Sequence, residues 1–320
     1  MNVAEDVRMV TLDEIRAARE RIAGTARVTP MIDVSAIAGR PLFLKCENMQ
    51  PGGAFKIRGA YNMVSQLPPA ERARGVITYS SGNHGQAVAI SARALGAPAV
   101  VVMPTTAPAV KIEGAKSFGA EVVFAGTTTI HRRAKAEEIA AARGLTMVPP
   151  FDHTQIIAGQ GTLGLEILEQ CPGVGTVFVP IGGGGIAAGV SAAIKLSRDG
   201  VTVVGVEPAG AASMKSSIDA GEIRTLERAQ SMADGLMAVR PGDLNFAHVR
   251  KFLDRIDTVE EEEIAEALRW LFREARLVAE PSGAVAVAAA RRERTPQAAP
   301  AVAIVSGGNL DPAVFAKYLS

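Results

Sequence analysis

Short apolar runs alternate with helix-like segments along most of the chain, and this alternation is the strongest constraint on its fold. The strand-like runs cover residues 41–46, 76–80, 99–103, 121–124, 176–179, 201–206 and 301–305. The helix-like segments include 83–95, 134–143, 156–170, 186–196 and 261–276. Continuous valine- and isoleucine-rich strands separated by helices are typical of parallel sheets covered on both faces. The sequence therefore predicts an α/β fold with open, twisted, mostly parallel sheets and helices on both faces.

Domain organisation has to be inferred from this pattern, because no long linker, repeat or low-complexity segment divides the chain. A length of 320 residues suggests roughly two domains. Residues 75–148 form a compact strand and helix series that a Pro-Pro pair closes. We therefore expect a large domain of residues 1–65 and 150–320, into which a small α/β domain of residues 66–149 is inserted. A site in such a protein is expected at the carboxyl ends of the strands.

Composition excludes several kinds of partner. The formal net charge is +1, with basic and acidic residues mixed along the chain, so there is no electrostatic reason to expect nucleic acid or an anionic membrane. No apolar run reaches the ~20 residues that span a bilayer. The charged, helix-like residues 1–23 do not resemble a secretory signal. Cys46 and Cys171 have no metal-ligand spacing, and we expect a cytoplasmic protein.

One lysine lies in an unusual setting, within Gly-Ala-Phe-Lys-Ile-Arg-Gly-Ala at 53–60. Lys56 follows an aromatic residue between two glycine-bearing turns, where the sequence begins to resemble a buried helix. Burial of a lysine charge is costly. One reason to accept that cost is a lowered pKa, which lets the amine act as a nucleophile or base. The alternative is a surface lysine that opens an amphipathic helix.

Four consecutive glycines follow a strand and open a helix in Val-Pro-Ile-Gly-Gly-Gly-Gly-Ile at 179–186. Gly182, Gly183, Gly184 and Gly185 allow the backbone to approach a ligand closely, and the helix N-terminus behind them carries a partial positive charge. This arrangement predicts an anion site suited to phosphate. The segment matches neither the nucleotide P-loop nor the dinucleotide motif. A single phosphate is therefore the simplest ligand, and a plain turn is the alternative.

Two further polar loops follow strands. Tyr-Ser-Ser-Gly-Asn-His-Gly-Gln at 79–86 starts a helix, so its hydroxyls, amides and N–H groups can converge on a second anion such as a carboxylate. Val-Ser-Gly-Gly-Asn at 305–309 follows the last strand. Its hydroxyl can act as a cap or as a neutral hydrogen-bond partner for a ring nitrogen.

Together these segments resemble the pyridoxal-phosphate (PLP) enzymes of the tryptophan-synthase-like fold, specifically the serine/threonine dehydratase and serine racemase group. The resemblance also includes Ile-Ala-Gly-Gln-Gly-Thr at 157–162, Ala-Asp-Gly at 233–235 and Glu-Pro-Ser-Gly at 280–283. The motifs occur in the family's order and spacing over nearly the whole chain. One such motif would be weak evidence, whereas the full set in register is highly specific.

The resemblance implies a role for individual residues around the cofactor. Lys56 would hold PLP as a Schiff base, and Phe55 would pack against its ring. The glycines at 182–185 would bind the phosphate, and Asn83 would bind the ring hydroxyl. Ser306 would face the pyridine nitrogen, to which a serine donates a hydrogen bond but no proton. Such weaker electron withdrawal favours prompt loss of a β-hydroxyl group from the substrate.

The same resemblance places further residues at the cofactor and the substrate. Glu280, which opens the Glu-Pro-Ser-Gly motif, would line the cofactor site. The substrate carboxylate would be surrounded by Ser80, Ser81, Asn83 and His84. His153 would lie in a loop that lines the substrate pocket. Ser81 has two interpretations, since a serine at this position is either a proton donor on the face opposite Lys56, as in the racemases, or a carboxylate ligand only.

A divalent-cation site is incomplete by the same comparison. Family members that bind such an ion use a glutamate, a backbone carbonyl four residues further on and an aspartate two residues beyond that. The matching positions here are Glu207, Ala211 and Ser213. Because the aspartate is missing, the site has fewer hard oxygen ligands. Whether a divalent cation binds is left open, and Glu207 has the alternative role of a cap at the strand end.

The resemblance implies a PLP-dependent serine/threonine dehydratase (ammonia-lyase), which converts a β-hydroxy amino acid to a 2-oxo acid and ammonia. The alternatives are a serine racemase with dehydratase side activity and a 3-hydroxyaspartate ammonia-lyase, which would need a basic residue for the second carboxylate. A catalytically silent binding protein would not require the amine of Lys56. We expect a small amino-acid substrate, no nucleic-acid or membrane partner, and a homodimer or homotetramer.

Overall fold

Strands and helices alternate throughout the part of the protein described by a computed structural model, which comprises residues 7–80, 82–107, 109–293 and 299–319. The strands are β1 (Met31–Asp33), β2 (Leu42–Cys46), β3 (Val76–Thr78), β4 (Ala99–Met103), β5 (Glu121–Phe124), β6 (Thr146–Met147), β7 (Thr176–Pro180), β8 (Thr202–Pro208), β9 (Arg255–Val259) and β10 (Ala301–Val305). The helices are α1 (Leu12–Ile22), α2 (Ser35–Ala38), α3 (Ile57–Ser65), α4 (Pro69–Arg74), α5 (Asn83–Ala94), α6 (Ala109–Ser117), α7 (Thr129–Arg143), α8 (Thr154–Gln170), α9 (Gly185–Ser197), α10 (Ser213–Ala220), α11 (Asp243–Phe252), α12 (Glu261–Arg273), α13 (Pro281–Arg292) and α14 (Pro312–Leu319). Within these ranges, no helix combines the length and the apolar character needed to cross a bilayer.

The strands form two sheets. A six-stranded sheet has the order β1-β2-β10-β7-β8-β9, and a four-stranded sheet has the order β5-β4-β3-β6. Strands β1 and β2 pair in antiparallel fashion, whereas the other neighbours pair in parallel. The predicted α/β fold with mostly parallel sheets is confirmed. The domain boundaries proposed from the sequence stay a prediction, although all strands of the smaller sheet lie between residues 76 and 147.

Each sheet is buried on both faces. In β7, Val177 and Val179 pack into a core shared with α8 and α9. The intervening Phe178 packs on the other face, against residues of α12 and α13. The smaller sheet shows the same division, with Val101 facing α5 and Val102 facing α7. Because side chains alternate between the faces of a strand, burial on both faces explains the uninterrupted apolar runs in the sequence.

The strands that the sequence pattern missed are short or polar. β1 and β6 are brief, and β9 has the sequence Arg-Ile-Asp-Thr-Val at one edge of the larger sheet. An edge strand faces a neighbour on one side only and accommodates charged side chains. These strands therefore lack the continuous apolar signal of the central ones.

The glycines of the Ile-Ala-Gly-Gln-Gly-Thr motif allow helices to approach closely. A Cβ atom at Gly159 would lie 2.6 Å from the Cα of Gly59 in α3. On the other side, a Cβ atom at Gly189 of α9 would lie 2.5 Å from the backbone nitrogen of Gly161. Real side chains do not fit at such distances. The motif therefore packs α8 between α3, the helix that follows Lys56, and α9, the helix that follows the tetraglycine loop.

A fully buried cluster of charges lies beneath the first turn of α3. The guanidinium of Arg58 donates to Glu47 Oε2 at 2.7 Å and to Glu166 Oε1 at 2.6 Å. Lys45 Nζ donates to the second oxygen of Glu166 at 2.6 Å. Arg58 pairs in this way with carboxylates from two separate parts of the chain. Because buried charges are tolerated when they are paired and hydrogen-bonded, the cluster fixes α3, and with it Lys56, relative to β2 and α8.

Candidate active site

The predicted site loops meet at the carboxyl ends of the strands. The Phe55 N–H donates to the carbonyl oxygen of Ser306 at 3.1 Å, and the Gly308 N–H donates to the carbonyl oxygen of Gly53 at 2.9 Å. The segment that carries Lys56 therefore runs alongside the Ser-Gly-Gly-Asn loop after β10. Parallel strands deliver these loops to the same edge of the sheet, as expected for open α/β proteins.

The amine of Lys56 is oriented by a backbone carbonyl. Its Nζ donates to the carbonyl oxygen of Pro150 at 2.7 Å and lies 5.1 Å from the centre of the Phe55 ring. Desolvation of the amine lowers the pKa of Lys56 to about 8, because burial disfavours the charged form. An amine with this pKa is neutral in about one molecule in ten at pH 7, far more often than an ordinary lysine, and a base or nucleophile requires the neutral form.

The tetraglycine loop forms a backbone anion site. In the described chain, the amide N–H groups of Gly182, Gly183, Gly184 and Gly185 donate to no protein acceptor. They lie at the start of α9, whose N-terminal end carries the positive end of the helix dipole. Gly184 has φ of 100°, a conformation that favours glycine. Free amides at a helix N-terminus fit a phosphate group.

Packing also requires glycine in this loop. A Cβ atom at Gly183 would lie 2.4 Å from ring atoms of Phe151, and one at Gly185 would lie 3.0 Å from the Cβ of the same residue. At Gly184 it would lie 2.6 Å from Met214 Cε. The sequence predicts that these glycines let a ligand approach, and the structure adds that neighbouring side chains leave no room for larger residues.

A polar network joins the substrate loop to the loop after β10. Asn83 Nδ2 donates to Glu280 Oε1 at 2.5 Å, and Asn309 Nδ2 donates to Asn83 Oδ1 at 2.9 Å. Glu280 is 4% exposed. Burial, with a smaller contribution from the negative charge of Asp234, raises the pKa of Glu280 to about 7. The network fixes the amide of Asn83, the residue predicted to bind the cofactor's ring hydroxyl.

Ser306, predicted to face the pyridine nitrogen, is 3% exposed. Its hydroxyl donates to the carbonyl oxygen of Ser282 at 3.3 Å, and its own carbonyl holds the Phe55 backbone. The backbones of Ser306 and Phe55 are therefore in direct contact, and the role of the Ser306 hydroxyl at the pyridine nitrogen stays a prediction.

The two predicted substrate histidines have defined hydrogen bonds. His84 Nε2 lies 3.0 Å from the carbonyl oxygen of Val148, and burial, together with the charge of Lys56, lowers the pKa of His84 to about 3. His84 is therefore neutral at physiological pH. His153 caps α8 by accepting a hydrogen bond from the Gln155 N–H at 3.2 Å through Nδ1. Neither histidine supplies a positive charge at neutral pH, since burial lowers the pKa of His153 also.

Of the two predicted substrate serines, Ser80 is partly buried, and its Oγ accepts a hydrogen bond from the Gly82 N–H at 3.4 Å. Ser81 lies outside the described residues. Its two interpretations stay predictions.

The residues that match the divalent-cation site have other partners. Both carboxylate oxygens of Glu207 accept backbone hydrogen bonds at the start of α10, from Met214 at 2.9 Å and from Lys215 at 2.8 Å. Burial raises the pKa of Glu207 to about 7. Ala211 is buried, and Ser213 Oγ is buried without a hydrogen-bond partner among the described residues. Glu207 thus caps a helix rather than the strand end, and the divalent cation stays open.

Sequence reasoning gave no role to several residues that organise the site. Lys111 Nζ pairs with Asp234 Oδ2 at 2.6 Å, which joins the segment after β4 to the Ala-Asp-Gly motif. Asn309 belongs to the polar network described above. Asp152 and Asn245 bind the backbone near the tetraglycine loop. Asp234 and Asn309 lie within the motifs that carried the resemblance, so the sequence could have pointed to them. Nothing in the sequence distinguished Asn245.

The site combines an amine of lowered pKa, an adjacent aromatic ring and a phosphate-type anion site, on a two-sheet α/β fold. These features fit PLP, which needs a lysine, a ring contact and a phosphate cradle. They define the class of PLP-dependent enzymes.

Comparison with known proteins gives the same assignment. Residues 22–307 match the family described as pyridoxal-phosphate dependent enzyme. The chain is 41% identical over 306 residues to an L-threonine ammonia-lyase of Thermotoga maritima, covering 95% of this chain and 76% of that protein. It is 36% identical over 322 residues to a serine racemase of Schizosaccharomyces pombe, covering 99% and 100%. The structure of maize serine racemase matches with a TM-score of 0.92 at 36% identity, covering 97% of each chain. The protein belongs to the family of PLP-dependent enzymes.

Proposed function

We propose that the protein is a PLP-dependent ammonia-lyase that converts serine or threonine to a 2-oxo acid and ammonia. The observation that carries this proposal is the amine of Lys56, which has a pKa of about 8 and lies 5.1 Å from the centre of the Phe55 ring. The similarity to the L-threonine ammonia-lyase of Thermotoga maritima supports it. Such an enzyme needs a base for the Cα proton and a way to let the β-hydroxyl leave.

Lys56 is assigned the proton transfer at Cα. When bound, PLP supplies an electron sink that stabilises negative charge at the substrate Cα. The neutral Lys56 amine would accept the Cα proton through Nζ. The protonated amine would then return a proton to the β-hydroxyl, which leaves as water. The carbonyl of Pro150 accepts a hydrogen bond from Nζ, which orients the amine and leaves its lone pair available. Phe55 would contact the cofactor ring, Ser306 would face its pyridine nitrogen, and the amides of the tetraglycine loop would hold its phosphate.

The substrate carboxylate is assigned to the loop that opens α5. Ser80, Ser81 and Asn83 offer hydroxyl and amide donors, and the amides at the helix N-terminus favour an anion. His84 is neutral and bonded to the carbonyl of Val148, so it contributes position and hydrogen bonding rather than charge. The site therefore binds the carboxylate mainly through neutral donors.

Serine racemase activity is the second candidate, favoured by the S. pombe and maize proteins described above. It requires a proton donor on the face opposite Lys56, a role predicted for Ser81. We propose to assay Ser81→Ala for 2-oxo acid and enantiomer formation, with Ser80→Ala as the matched control. Selective loss of racemisation in Ser81→Ala supports the racemase. A racemisation rate well above elimination in the unmutated protein would overturn our first choice, whereas undetectable racemisation in that protein supports a plain lyase.

A 3-hydroxyaspartate substrate would need a basic group for its second carboxylate. Lys111 is one candidate, since its Nζ lies 4.0 Å from the position that a Cβ would take at Gly82. Its charge is already paired with Asp234, which makes serine and threonine the better substrates. A panel of β-hydroxy amino acids tests this ranking, and a kcat/KM highest for 3-hydroxyaspartate would reverse it.

We further propose a cytoplasmic homodimer or homotetramer. Val28, Met49 and Val278 are 71%, 37% and 48% exposed. Asn48 Nδ2 donates to the carbonyl of Val278 at 2.9 Å, and the Arg27 side chain donates to the carbonyl of Met49 at 3.5 Å, which places the three apolar side chains in one region. Light scattering should show a multiple of 33.3 kDa that Val28→Asp reduces. A monomeric unmutated protein would refute this proposal.

A further inference from the structure

The carbonyl group of Gly183 is held by the start of α11. Asn245 Nδ2 donates to this oxygen at 2.8 Å, and the Gly242 N–H donates to it at 3.1 Å. Asn245 is fully buried, and its Oδ1 has no hydrogen-bond partner among the described residues. The side chain is therefore held in the interior chiefly by its contact with the tetraglycine loop.

Holding the Gly183 carbonyl also sets the direction of the next amide. In a trans peptide, the C=O of one residue and the N–H of the next point in opposite directions. The Gly183 carbonyl points toward α11, so the Gly184 N–H points away from α11. That N–H has no protein acceptor in the described chain. Asn245 thus fixes one of the amides assigned to the phosphate.

Asn245 is itself positioned by a carboxylate from a distant segment. Asp152 Oδ1 accepts hydrogen bonds from the backbone N–H of Leu244 at 3.0 Å and of Asn245 at 3.4 Å, and its Oδ2 accepts from Asp243 at 3.0 Å. The residue at the cap position of α11 is Gly242, which has no side chain to do this. A Cβ there would lie 2.4 Å from Asp152 Oδ1, so glycine lets the carboxylate approach.

Asp152 also lies in the segment that contacts the catalytic lysine. Two residues earlier, the carbonyl of Pro150 binds Lys56 Nζ, and the intervening Phe151 packs on Gly183 and Gly185. Residues 150–152 therefore connect the two parts of the site assigned to opposite ends of the cofactor. A substitution at Asp152 is therefore expected to alter the position of α11, and through Asn245 that of the tetraglycine loop.

We propose that Asn245 and Asp152 are positioning residues that orient the Gly184 amide of the phosphate loop. This inference rests on the proposed cofactor site, and it adds residues that act on the phosphate group specifically. Asn245→Asp replaces the donor that faces the Gly183 carbonyl with an acceptor, at nearly constant size. Asp152→Asn keeps one acceptor for the α11 amides and loses the other.

The test is a titration of the cofactor-free, full-length protein with PLP and with pyridoxal, which lacks the phosphate. We expect Asn245→Asp to weaken PLP binding ~10- to 100-fold, the range for a hydrogen bond to a charged group, with pyridoxal binding unchanged. Asp152→Asn should cause a smaller loss with the same selectivity. Asn48→Asp is the matched control, because Asn48 also binds a backbone carbonyl and has a buried, unpartnered Oδ1 in the described chain.

The possible outcomes distinguish failure of this proposal from failure of the PLP site on which it rests. Equal loss of PLP and pyridoxal affinity in Asn245→Asp, or no loss, would overturn the positioning role. If the unmutated protein binds PLP no better than pyridoxal, the phosphate assignment of the loop fails and this inference fails with it. Thermal unfolding of each variant reports folding. If Asn245→Asp does not fold, the PLP-to-pyridoxal affinity ratio of Asp152→Asn decides the question.

Discussion

The amine of Lys56 lies 2.7 Å from the carbonyl oxygen of Pro150, to which it donates a hydrogen bond. Pro150 follows the last strand of the smaller sheet, whereas Lys56 follows β2 of the larger one. The contact links the two sheets at the point where the chemistry is proposed. The amine is thereby held at a fixed position, and it forms no ion pair within the described residues.

Lys56→Ala should abolish turnover, because no other amine is assigned to the Cα proton. The substitution exchanges a partly desolvated amine for a small neutral side chain, so the thermal unfolding midpoint should change little. Formation of 2-oxo acid by the cofactor-loaded variant is the measurement. Retained turnover would remove Lys56 from its assigned role, and Lys195→Ala, on the far end of α9, provides an activity control.

Gly184→Asp should weaken PLP binding strongly, because it places a side chain and a negative charge at the anion site. It also adds backbone strain at φ of 100° and a clash with Met214. Gly200→Asp is the control for backbone strain, since Gly200 has φ of 80° and open space around its Cβ position. Cofactor titration of both variants separates the effects. Unchanged affinity in Gly184→Asp would mean that the loop is only a turn.

Compared with the unmutated protein, the cofactor-free Glu280→Gln variant should become more stable as pH rises. The pKa of Glu280 in the folded protein is raised by burial to about 7 from an ordinary value of 4.5. The folded state therefore holds this proton more tightly than the unfolded state, and stability falls as pH increases from about 4.5 through 7. Gln keeps the acceptor for Asn83 without ionising. We expect the difference in unfolding free energy between the variant and the unmutated protein to change by about 3 kcal/mol between pH 4.5 and 8. Thermal unfolding midpoints of the two proteins that shift in parallel across this range would contradict it.

His248 should make the protein sensitive to acid. Its Nε2 accepts a hydrogen bond from the Val10 N–H at 2.9 Å, which protonation would break. Burial, aided by the charge of Lys251, lowers the pKa of His248. The stabilisation is therefore complete above about pH 6.5, the ordinary histidine value, and is lost as pH falls through the lowered pKa.

His248→Gln should flatten the dependence of the thermal unfolding midpoint on pH below about 6.5. His131→Gln, at an exposed position of α7, serves as the control and should leave the wild-type profile intact. If both variants lose stability in acid as steeply as the unmutated protein, other groups control the acid response.

The sequence was sufficient to predict the central strands and the loops that follow them. Runs such as the one ending at Pro180 are apolar without interruption, so local composition identifies them. The same logic could not find β9, because Arg255 and Asp257 lie at a sheet edge where charge is tolerated. Nor could it find Asp152 as a cap of α11, since Asp152 and Leu244 are 92 positions apart and only the folded chain brings them together.

The site residues likewise divide into those that the sequence could indicate and those that it could not. Motif resemblance predicted roles for Lys56 and the glycines, because those roles depend on residue type and local conformation. It gave no information on the hydrogen bonds of His84 and Glu207, which depend on burial and on neighbours from other elements. The predicted cap at Glu207 was placed at the strand end, but its carboxylate instead holds the first turn of α10.

The buried charge cluster beneath α3 has a consequence for how this protein can vary. Loss of Arg58 alone would leave the buried carboxylates of Glu47 and Glu166 without their guanidinium partner, which would lower the free energy of unfolding by about 3–5 kcal/mol. Replacement of the whole cluster, including Lys45, by apolar residues of similar volume would carry no such cost. Related sequences should therefore keep these four residues as a set or exchange them as a set, and a library that randomises one of them should return mainly the original residue.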